Sequence, residues 1–470
     1  MKRIKILILT AVVLFAGFSC EEALDINTDP LVASSADPNA VLPYVIVQYS
    51  NRKTTELGTR ISDVSQYISA NFNSPRNGAT TSFLTGNTWN MMYTQVLGNL
   101  ELVKNDALEA GATSNNVAAI ATTMQALIYY ELTSIWEDVP FTEAINGQEF
   151  PFPQFDSQET VLNGVVDMLN DAINLIDTRE TSGEFNVATG DLIYGGNMDL
   201  WRRYANSLKL RVLMMIRNKD TSVDGEIATT LSQPLIENNS QAALLQYSNS
   251  PGGVNAMQNI VERFFGPDNE STDVHGPGDP LYELLVDAGD PRADVIVARN
   301  TLPAPGNGVF PSSTTSVISN NVIRRNLPDI WFLPAEVDFY RAELALKGVS
   351  AAGDAATNYA NGLQNIMSFW GGDIPGATAS IAQADIDAFV TAAGTPSLDD
   401  VYNQEYLAAF LHPVLAWNHV RRNKVPALQA PPTTNISTYL KRFTYPPNEI
   451  SSNPNTPASK ATDVPMWFEN

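Results

Sequence analysis

Residues 201–216 read WRRYANSLKLRVLMMI, and this stretch decides the fold class of the chain. Its apolar side chains recur every three or four residues, the spacing that places them on one face of an α-helix. They are Trp201, Tyr204, Ala205, Leu208, Val212, Met215 and Ile216. A face this apolar needs a partner, so the stretch predicts a buried helix packed against other helices.

Two upstream stretches show the same helical periodicity, one from Ile120 to Trp136 and one from Val161 to Ile176. Asp156 and Glu159 have the spacing of a capping box, which predicts the start of the second helix. The sequence therefore predicts a mostly α-helical protein.

A helical hairpin is predicted between residues 334 and 370. Its two helices run from Pro334 to Lys347 and from Ala355 to Trp370, with Gly348 and Gly353 in the short link. The 34 residues from 335 to 368 match the period of a tetratricopeptide unit. This length suggests tetratricopeptide-like helical pairs, although no set of aligned copies supports the repeat.

The periodicity fades between residues 247 and 321, where Gly, Pro, Asn and Asp crowd together. A long irregular insert in a helical body is either functional or disordered. The C-terminal part from Gln429 is again irregular, and residues 442–447 (RFTYPP) are expected to pack as an extended segment.

The N-terminus has the pattern of a secreted lipoprotein. Residues 1–5 are basic, residues 6–18 are apolar, and Cys20, the single cysteine of the chain, follows them. We expect a signal peptide over residues 1–19, lipid attachment at Cys20, a polar tether over residues 20–39 and one helical body over residues 40–470. Two or more acyl chains on one residue suffice for stable membrane anchoring.

The charge balance excludes one class of partner. The chain has 28 Lys and Arg residues against 51 Asp and Glu residues, a net charge of −23. A polyanion of this size repels nucleic acid and anionic lipid surfaces. Membrane attachment therefore has to come from lipid rather than from charge.

Six blocks of the sequence resemble, in order, the signatures of SusD/RagB-type outer-membrane lipoproteins, and most closely their SusD-like branch. The blocks are residues 25–30 (DINTDP), 136–144 (WEDVPFTEA), 201–211 (WRRYANSLKLR), 335–343 (AEVDFYRAE), 417–428 (WNHVRRNKVPAL) and 442–446 (RFTYP). In the second block, Trp136-Glu137 stands where the family has Tyr-Gly. Together the blocks are distributed across nearly all of the chain that follows Cys20.

The resemblance implies a mostly helical Bacteroidota lipoprotein with tetratricopeptide-like pairs, held in the outer membrane by the acylated Cys20 and exposed at the cell surface. It also implies that the protein captures a nutrient, an oligosaccharide or a peptide, and delivers it to a partner SusC-like TonB-dependent transporter. Members of the family differ in their ligand contacts, so no ligand-binding residue is transferred from them.

The matching blocks themselves are interpreted as structural. Trp201, Tyr204 and Trp417 lie on apolar stripes and are expected in the core. Three arginines, at positions 203, 211 and 341, are expected to pair with buried carboxylates, because an unpaired buried charge is costly.

Ligand contacts are expected on loops instead, where aromatic rings can stack on sugars and polar groups can bond to hydroxyls. The candidates are Phe72, Phe83, Arg263, Phe264, Phe265 and Tyr282. For each candidate the alternative is a loop anchor whose side chain is inserted into the core.

Motifs of familiar catalytic and metal sites are missing from the sequence. The three histidines form no metal-binding pair, and the chain has neither a nucleophile elbow nor a phosphate-binding glycine loop. We therefore expect no enzyme activity, no cofactor and no metal. Asp268, Glu270 and Asp273 could surround calcium, but an acidic solvated loop is the simpler interpretation. A surface enzyme acting on glycosides and a non-binding helical scaffold remain as alternatives.

Overall fold

The computed structural model describes residues 37–69, 81–258, 275–306, 309, 311–429 and 439–469. Except for Asp37, all of them belong to one compact unit that spans Pro38–Asn470. The predicted α-helical class is confirmed. The first helices, several of them continued by π-helical turns, are α1 (Pro38–Arg52), α2 (Gly58–Val64), α3 (Ser82–Asn90), α4 (Gly98–Ala110), α5 (Asn115–Trp136), α6 (Gln158–Asp177), α7 (Met198–Arg217) and α8 (Asp224–Leu231).

The later helices include three very short ones and the predicted hairpin. They are α9 (Asp279–Tyr282), α10 (Ala293–Ile296), α11 (Pro334–Leu346), α12 (Ala355–Ser368), α13 (Gln383–Ala393), α14 (Leu398–Ala408), α15 (Pro413–Asn423) and α16 (Pro447–Ser452). None of the helices in the described ranges combines the length and the apolar character needed to cross a membrane.

Helices that follow one another in the sequence pack against each other: α5 on α6, α6 on α7, and α11 on α12. The hairpin of α11 and α12 is held by a close contact at Gly362, where a Cβ atom would lie 2.5 Å from Cε1 of Phe339. Glycine at this position therefore allows the ring of Phe339 to reach the backbone of α12. The apolar stripes predicted these helices, and Trp201, Tyr204 and Trp417 are fully buried as expected.

Short antiparallel strand pairs connect segments that are far apart in the sequence. Among the described residues, β1 (Ile68–Ser69) pairs with β3 (Gly276–Pro277), and β4 (Val297–Ala298) pairs with β5 (Val317–Ile318). The third pair joins β2 (Ala243–Leu245) to β6 (Asp329–Phe332), with an irregularity between Ala243 and Leu244. The β1–β3 pair attaches the irregular insert to the helical body, the β4–β5 pair lies within the insert, and the β2–β6 pair joins the two segments that flank it.

The capping box predicted from Asp156 and Glu159 is wrong. Helix α6 begins at Gln158, and Ser157 caps it by accepting a hydrogen bond from the Thr160 backbone N–H at 3.2 Å. The Asp156 carboxylate instead accepts hydrogen bonds from the backbone N–H groups that follow helix α5. Both Asp156 and Ser157 are good caps, and the tertiary contact of Asp156 decides which of them serves.

Only one of the three predicted arginine pairs with a buried carboxylate is found. Arg211 forms two hydrogen bonds with Glu336, both fully or nearly buried. Arg203 contacts Glu237, whose side chain is 64% exposed. Arg341 donates to the carbonyl oxygen of Leu231 at 2.9 Å. The last two predictions are wrong because these guanidinium groups are only partly buried and need no buried counter-ion.

The C-terminal segment is packed, as predicted, and it lies against the end of helix α5. The backbone N–H of the buried Phe443 donates to the carbonyl oxygen of Ile135 at 2.9 Å, and the indole N–H of Trp136 donates to the Thr444 carbonyl oxygen at 3.1 Å. The segment therefore completes the core around the end of α5.

Candidate functional site

Two segments that carry candidate ligand residues adjoin paired strands. Phe72 follows β1 in the sequence, and Arg263, Phe264 and Phe265 precede β3. In the β1–β3 pair, Ile68 lies opposite Pro277 and Ser69 lies opposite Gly276. The described flanks of these two segments are therefore neighbours, although they are about 200 residues apart in sequence.

A third segment reaches the same place. The Ser69 hydroxyl lies 2.6 Å from the carbonyl oxygen of Gly306 and 2.9 Å from that of Val309. A Cβ atom on Gly276 would lie 2.3 Å from Cγ of Pro305, so glycine permits close packing there. We call β1, β3 and residues 305, 306 and 309 the loop junction. Val309 is 52% exposed, which adds apolar surface to the junction.

Tyr282 serves as an anchor through its hydroxyl group. The residue ends helix α9 and is half-buried, and its hydroxyl donates to the carbonyl oxygens of Leu302, at 2.9 Å, and Asn300, at 3.2 Å. These bonds match the loop-anchor alternative, whereas the role of the ring in ligand binding stays a prediction. Phe83 belongs to helix α3, but its side chain is outside the described residues, as are Cys20, Phe72, Arg263, Phe264 and Phe265.

A second feature, which the sequence analysis missed, is a cleft of about 550 Å³ between helices α4, α5 and α6 and the loop 141–146. We call it the helical cleft. Its volume lies within the range of about 300–1,000 Å³ that is usual for ligand sites. The residues that line it include Glu101, Gln125, Tyr129, Phe141, Ile145 and Asn146.

One side of the helical cleft carries a compensated charge. Oε2 of Glu101 accepts hydrogen bonds from Lys104 Nζ at 2.6 Å and from Gln125 Nε2 at 2.8 Å. Its other oxygen accepts from Asn105 Nδ2 at 3.2 Å. Burial opposes ionisation of Glu101, but these hydrogen bonds outweigh it and hold the pKa of Glu101 below its ordinary value. The Glu101 carboxylate is therefore ionised and neutralised by Lys104.

Another part of the lining of the helical cleft is a fixed aromatic ring. Phe141 meets Tyr129 edge-on, with ring centroids 4.8 Å apart and an interplanar angle of 88°. A Cβ atom on Gly164 would lie 2.3 Å from Cε1 of Phe141, so glycine in α6 makes room for the ring. Asp156 fixes the loop itself, because its Oδ2 accepts from the backbone N–H groups of Phe141 at 3.2 Å and Thr142 at 2.8 Å.

The backbone of this loop is strained at Ile145, whose φ is 61°. A β-branched side chain rarely adopts this region, and strained residues cluster at ligand-binding positions.

The sequence contained one signal of the cleft, a polar Gln125 within the apolar stretch 120–136. The partners of Gln125 depend on how three helices pack, which periodicity alone does not provide.

The titratable groups provide no metal site among the described residues, since no cluster of three His, Cys, Asp or Glu side chains occurs there. Asp268, Glu270 and Asp273, the acidic residues considered for calcium, are outside the described residues. The three histidines are buried, and burial lowers their pKa values, to about 4 for His275 and about 3 for His419. Neutral buried imidazoles of this kind belong to the core.

Comparison with protein families gives one match. Residues 30–446 match a SusD-like family model described as "Starch-binding associating with outer membrane". No curated protein matches the chain.

Solved structures of similar fold include a "Bacteroidetes AC2a SusD-like" protein, with a TM-score of 0.79, 20% identity and coverage of 93% of this chain and 100% of that one. A chitin-binding protein has a TM-score of 0.78 at 21% identity and covers 92% of this chain and 100% of its own. A SusD/RagB family protein from Bacteroides thetaiotaomicron VPI-5482 gives 0.74 at 19% identity, with coverage of 93% and 99%. At these identities the likeness establishes the fold.

Proposed function

The chain belongs to the SusD-like family, and on that premise we propose that it captures an oligosaccharide at the cell surface and delivers it to a partner SusC-like TonB-dependent transporter. The family description names starch, and a structural neighbour binds chitin. Both are glycans, so they favour an oligosaccharide over a peptide as the ligand. The family is described as associating with the outer membrane.

The loop junction is the observation that supports a ligand site. Strand pairing and the Ser69 hydroxyl bring the described flanks of three segments together. We propose that these segments and their surroundings contact the ligand through the six residues named from the sequence, which are Phe72, Phe83, Arg263, Phe264, Phe265 and Tyr282. Aromatic rings offer apolar faces to the C–H groups of sugar rings, and Arg263 can donate to hydroxyl oxygens.

Binding assays on the full chain in detergent micelles test this proposal. A glycan array identifies the ligand class, and isothermal titration calorimetry then measures the dissociation constant of the wild type and of the Phe264→Ala/Phe265→Ala double variant. We expect the double variant to bind at least tenfold more weakly, since a central aromatic contact is worth about 2 kcal/mol or more. The matched control is Phe152→Ala, because Phe152 is 53% exposed and lies outside the loop junction.

Two results would contradict the proposal. The first is a double variant that binds glycan as tightly as the wild type. The second is a chain that binds peptides, or no ligand at all, on arrays that contain both classes. In the latter case retained transporter binding would favour a scaffold.

Membrane anchoring is proposed through lipid on Cys20, with residues 1–19 as the signal peptide and residues 20–39 as the tether to the helical body. Mass spectrometry of the purified mature protein tests this directly. We expect an N-terminal acylated cysteine, and a Cys20→Ala variant released from the membrane fraction. An unmodified mature N-terminus would contradict it.

The proposed role needs no catalytic step. Incubation of the chain with polysaccharide, followed by a reducing-end assay, is expected to show no product. Turnover that a single carboxylate variant abolishes would support the glycoside-acting enzyme instead.

Delivery to a transporter is tested by copurification of the lipoprotein with a TonB-dependent barrel from native membranes.

A further inference from the structure

A lysine and an aspartate are in contact inside the core. Lys53 directly follows helix α1, Asp329 begins β6, and their side chains are 0% and 1% exposed. Nζ of Lys53 lies 2.9 Å from Oδ1 of Asp329 and also donates to the carbonyl oxygen of Ile330. Lysine is rarely buried this completely, and two buried ions lose hydration energy that their attraction replaces only in part. A reaction that removes both charges would therefore relieve this cost.

The carboxyl group of Asp329 is held in a fixed position beside the amine. Its second oxygen, Oδ2, accepts hydrogen bonds from the Ser50 hydroxyl and, at 2.8 Å, from the indole N–H of Trp331. The same two donors would stabilise the negative charge that develops on Oδ2 if a nucleophile attacked Cγ. The amine and the carboxyl group are thus oriented for a reaction within one molecule, where proximity replaces activation by a cofactor.

A third carboxyl group, on Glu131 of helix α5, belongs to the same buried cluster. Glu131 is 0% exposed and interacts electrostatically with both Lys53 and Asp329. Its Oε1 accepts a hydrogen bond from the Tyr49 hydroxyl at 2.8 Å, whereas its Oε2 has no hydrogen-bond partner among the described residues. Burial raises the pKa of Glu131 to about 7, so near neutral pH this group can both accept and donate a proton.

We propose that Lys53 and Asp329 form an intramolecular isopeptide bond, with Glu131 as the proton carrier. Glu131 takes a proton from the Lys53 ammonium group, and the free amine attacks Cγ of Asp329, so that an N–C bond forms. A C–O bond of the tetrahedral intermediate then breaks, and its oxygen leaves as water with the two protons that the nitrogen has lost. An ammonium and a carboxylate become an amide and one water molecule, and Glu131 returns to its starting state.

The bond would join the end of helix α1 to β6 across 276 positions of the sequence. A covalent link that closes so long a loop restricts the unfolded chain, as a disulfide does, in a protein whose single cysteine cannot form an internal disulfide. This inference goes beyond the proposed function and depends neither on ligand binding nor on lipid attachment.

Trypsin digestion of the purified full chain, followed by tandem mass spectrometry, tests for the bond. Trypsin does not cleave after an acylated lysine, so the expected product joins residues 53–60 (KTTELGTR) to residues 326–341 (NLPDIWFLPAEVDFYR). Its mass should be lower by one water molecule than the sum of the two peptides. The internal control is Lys104, whose Nζ lies 2.6 Å from Oε2 of Glu101 in a pair that is 22% and 30% exposed. We expect normal cleavage after Lys104.

Two variants separate the reaction from the fold. Lys53→Arg keeps the positive charge, but its guanidinium group stays protonated and does not attack a carboxyl group. Glu131→Gln keeps an acceptor for the Tyr49 hydroxyl but cannot carry protons. Each variant is expected to lower the yield of the linked peptide at least tenfold. A circular dichroism spectrum like that of the wild type shows that the loss does not come from unfolding, and Glu131→Gln provides the test if Lys53→Arg fails to fold.

Recovery of residues 54–60 and 326–341 only as separate peptides from the wild type would overturn the proposal. A folded Glu131→Gln variant that forms the linked peptide as completely as the wild type would overturn the role of Glu131. Neither result bears on glycan binding, so the failure of this inference and the failure of the proposed function are distinguishable.

Discussion

Arg442 Nη1 donates to Glu137 Oε2 at 2.5 Å, and this bond joins residues that are 305 positions apart in the sequence. Glu137 has a φ of 75°, a region that favours glycine. The resembling block of the family has Gly at this position, and here the glutamate keeps the glycine-like backbone. Burial opposes ionisation of Glu137, yet hydrogen bonds from Arg442 and Lys460 outweigh it and lower its pKa. The ion pair therefore accompanies a strained backbone.

Two substitutions at Glu137 separate the ion pair from the strain. Glu137→Ala removes the partner of the buried Arg442 and is expected to lower the free energy of unfolding by about 3 kcal/mol. Glu137→Gly also removes the partner but relieves the positive φ, so it is expected to be about 1 kcal/mol more stable than Glu137→Ala. Urea unfolding followed by circular dichroism measures both differences. An alanine variant as stable as the glycine variant would show that the backbone carries no strain.

A pH dependence is expected from Glu131. The residue is fully buried, and burial raises its pKa to about 7, although Lys53 and Tyr49 act in the opposite direction. Between its ordinary pKa, near 4.5, and about 7, the folded state then binds more protons than the unfolded state. The contribution of Glu131 to stability is therefore full at low pH and falls as pH rises through this window, by about 3 kcal/mol in total.

Unfolding titrations of the wild type and Glu131→Gln, at several pH values from 4.5 to 8, measure this contribution. The variant is expected to gain stability relative to the wild type as pH rises, because its amide remains neutral and can still accept from Tyr49. The three buried histidines have lowered pKa values, so their contribution to stability rises with pH. This contribution is the same in both proteins and cancels when their free energies of unfolding are compared. A stability difference that is constant with pH would contradict the prediction.

Because Arg211 and Glu336 form a buried ion pair, we expect the effects of substituting them on the free energy of unfolding to be strongly non-additive. Glu336→Leu leaves the guanidinium group without its counter-ion and is expected to cost about 3–5 kcal/mol. Adding Arg211→Met to this variant removes the uncompensated charge and is expected to recover at least half of the loss. The free energies of unfolding of the two single variants and the double variant form the required cycle. A double variant less stable than Glu336→Leu alone would contradict it.

Two glycines in helices are expected to respond in opposite directions to alanine. Gly362→Ala places a Cβ atom 2.5 Å from Phe339 and is expected to destabilise the hairpin by about 1–3 kcal/mol. Gly225 has no atom within 4 Å of such a Cβ, so Gly225→Ala is expected to stabilise helix α8 by about 0.5–1 kcal/mol. Melting temperatures of both variants check the signs. A destabilised Gly225→Ala variant would mean that the free space around the added Cβ atom does not decide the sign of the stability change.

The capping of helix α6 illustrates how far local patterns extend. The apolar stripe from Val161 to Ile176 located the helix correctly, because its spacing is a local property of the chain. The capping box failed, because the Asp156 carboxylate is bonded to the backbone of residues 141 and 142, which the local sequence did not indicate. Positions of helices were thus predictable from the sequence, whereas the partners of polar side chains at their ends were not.

The sequence by itself determined the helical fold and the family, because apolar periodicity and ordered sequence blocks are properties of successive residues. Only the tertiary structure decided that Ser69 and Gly276 meet at the loop junction, that Arg442 neutralises Glu137, and that Gln125 faces a cleft. These relationships depend on distances between segments far apart in the chain, and such distances are fixed only when the helices pack.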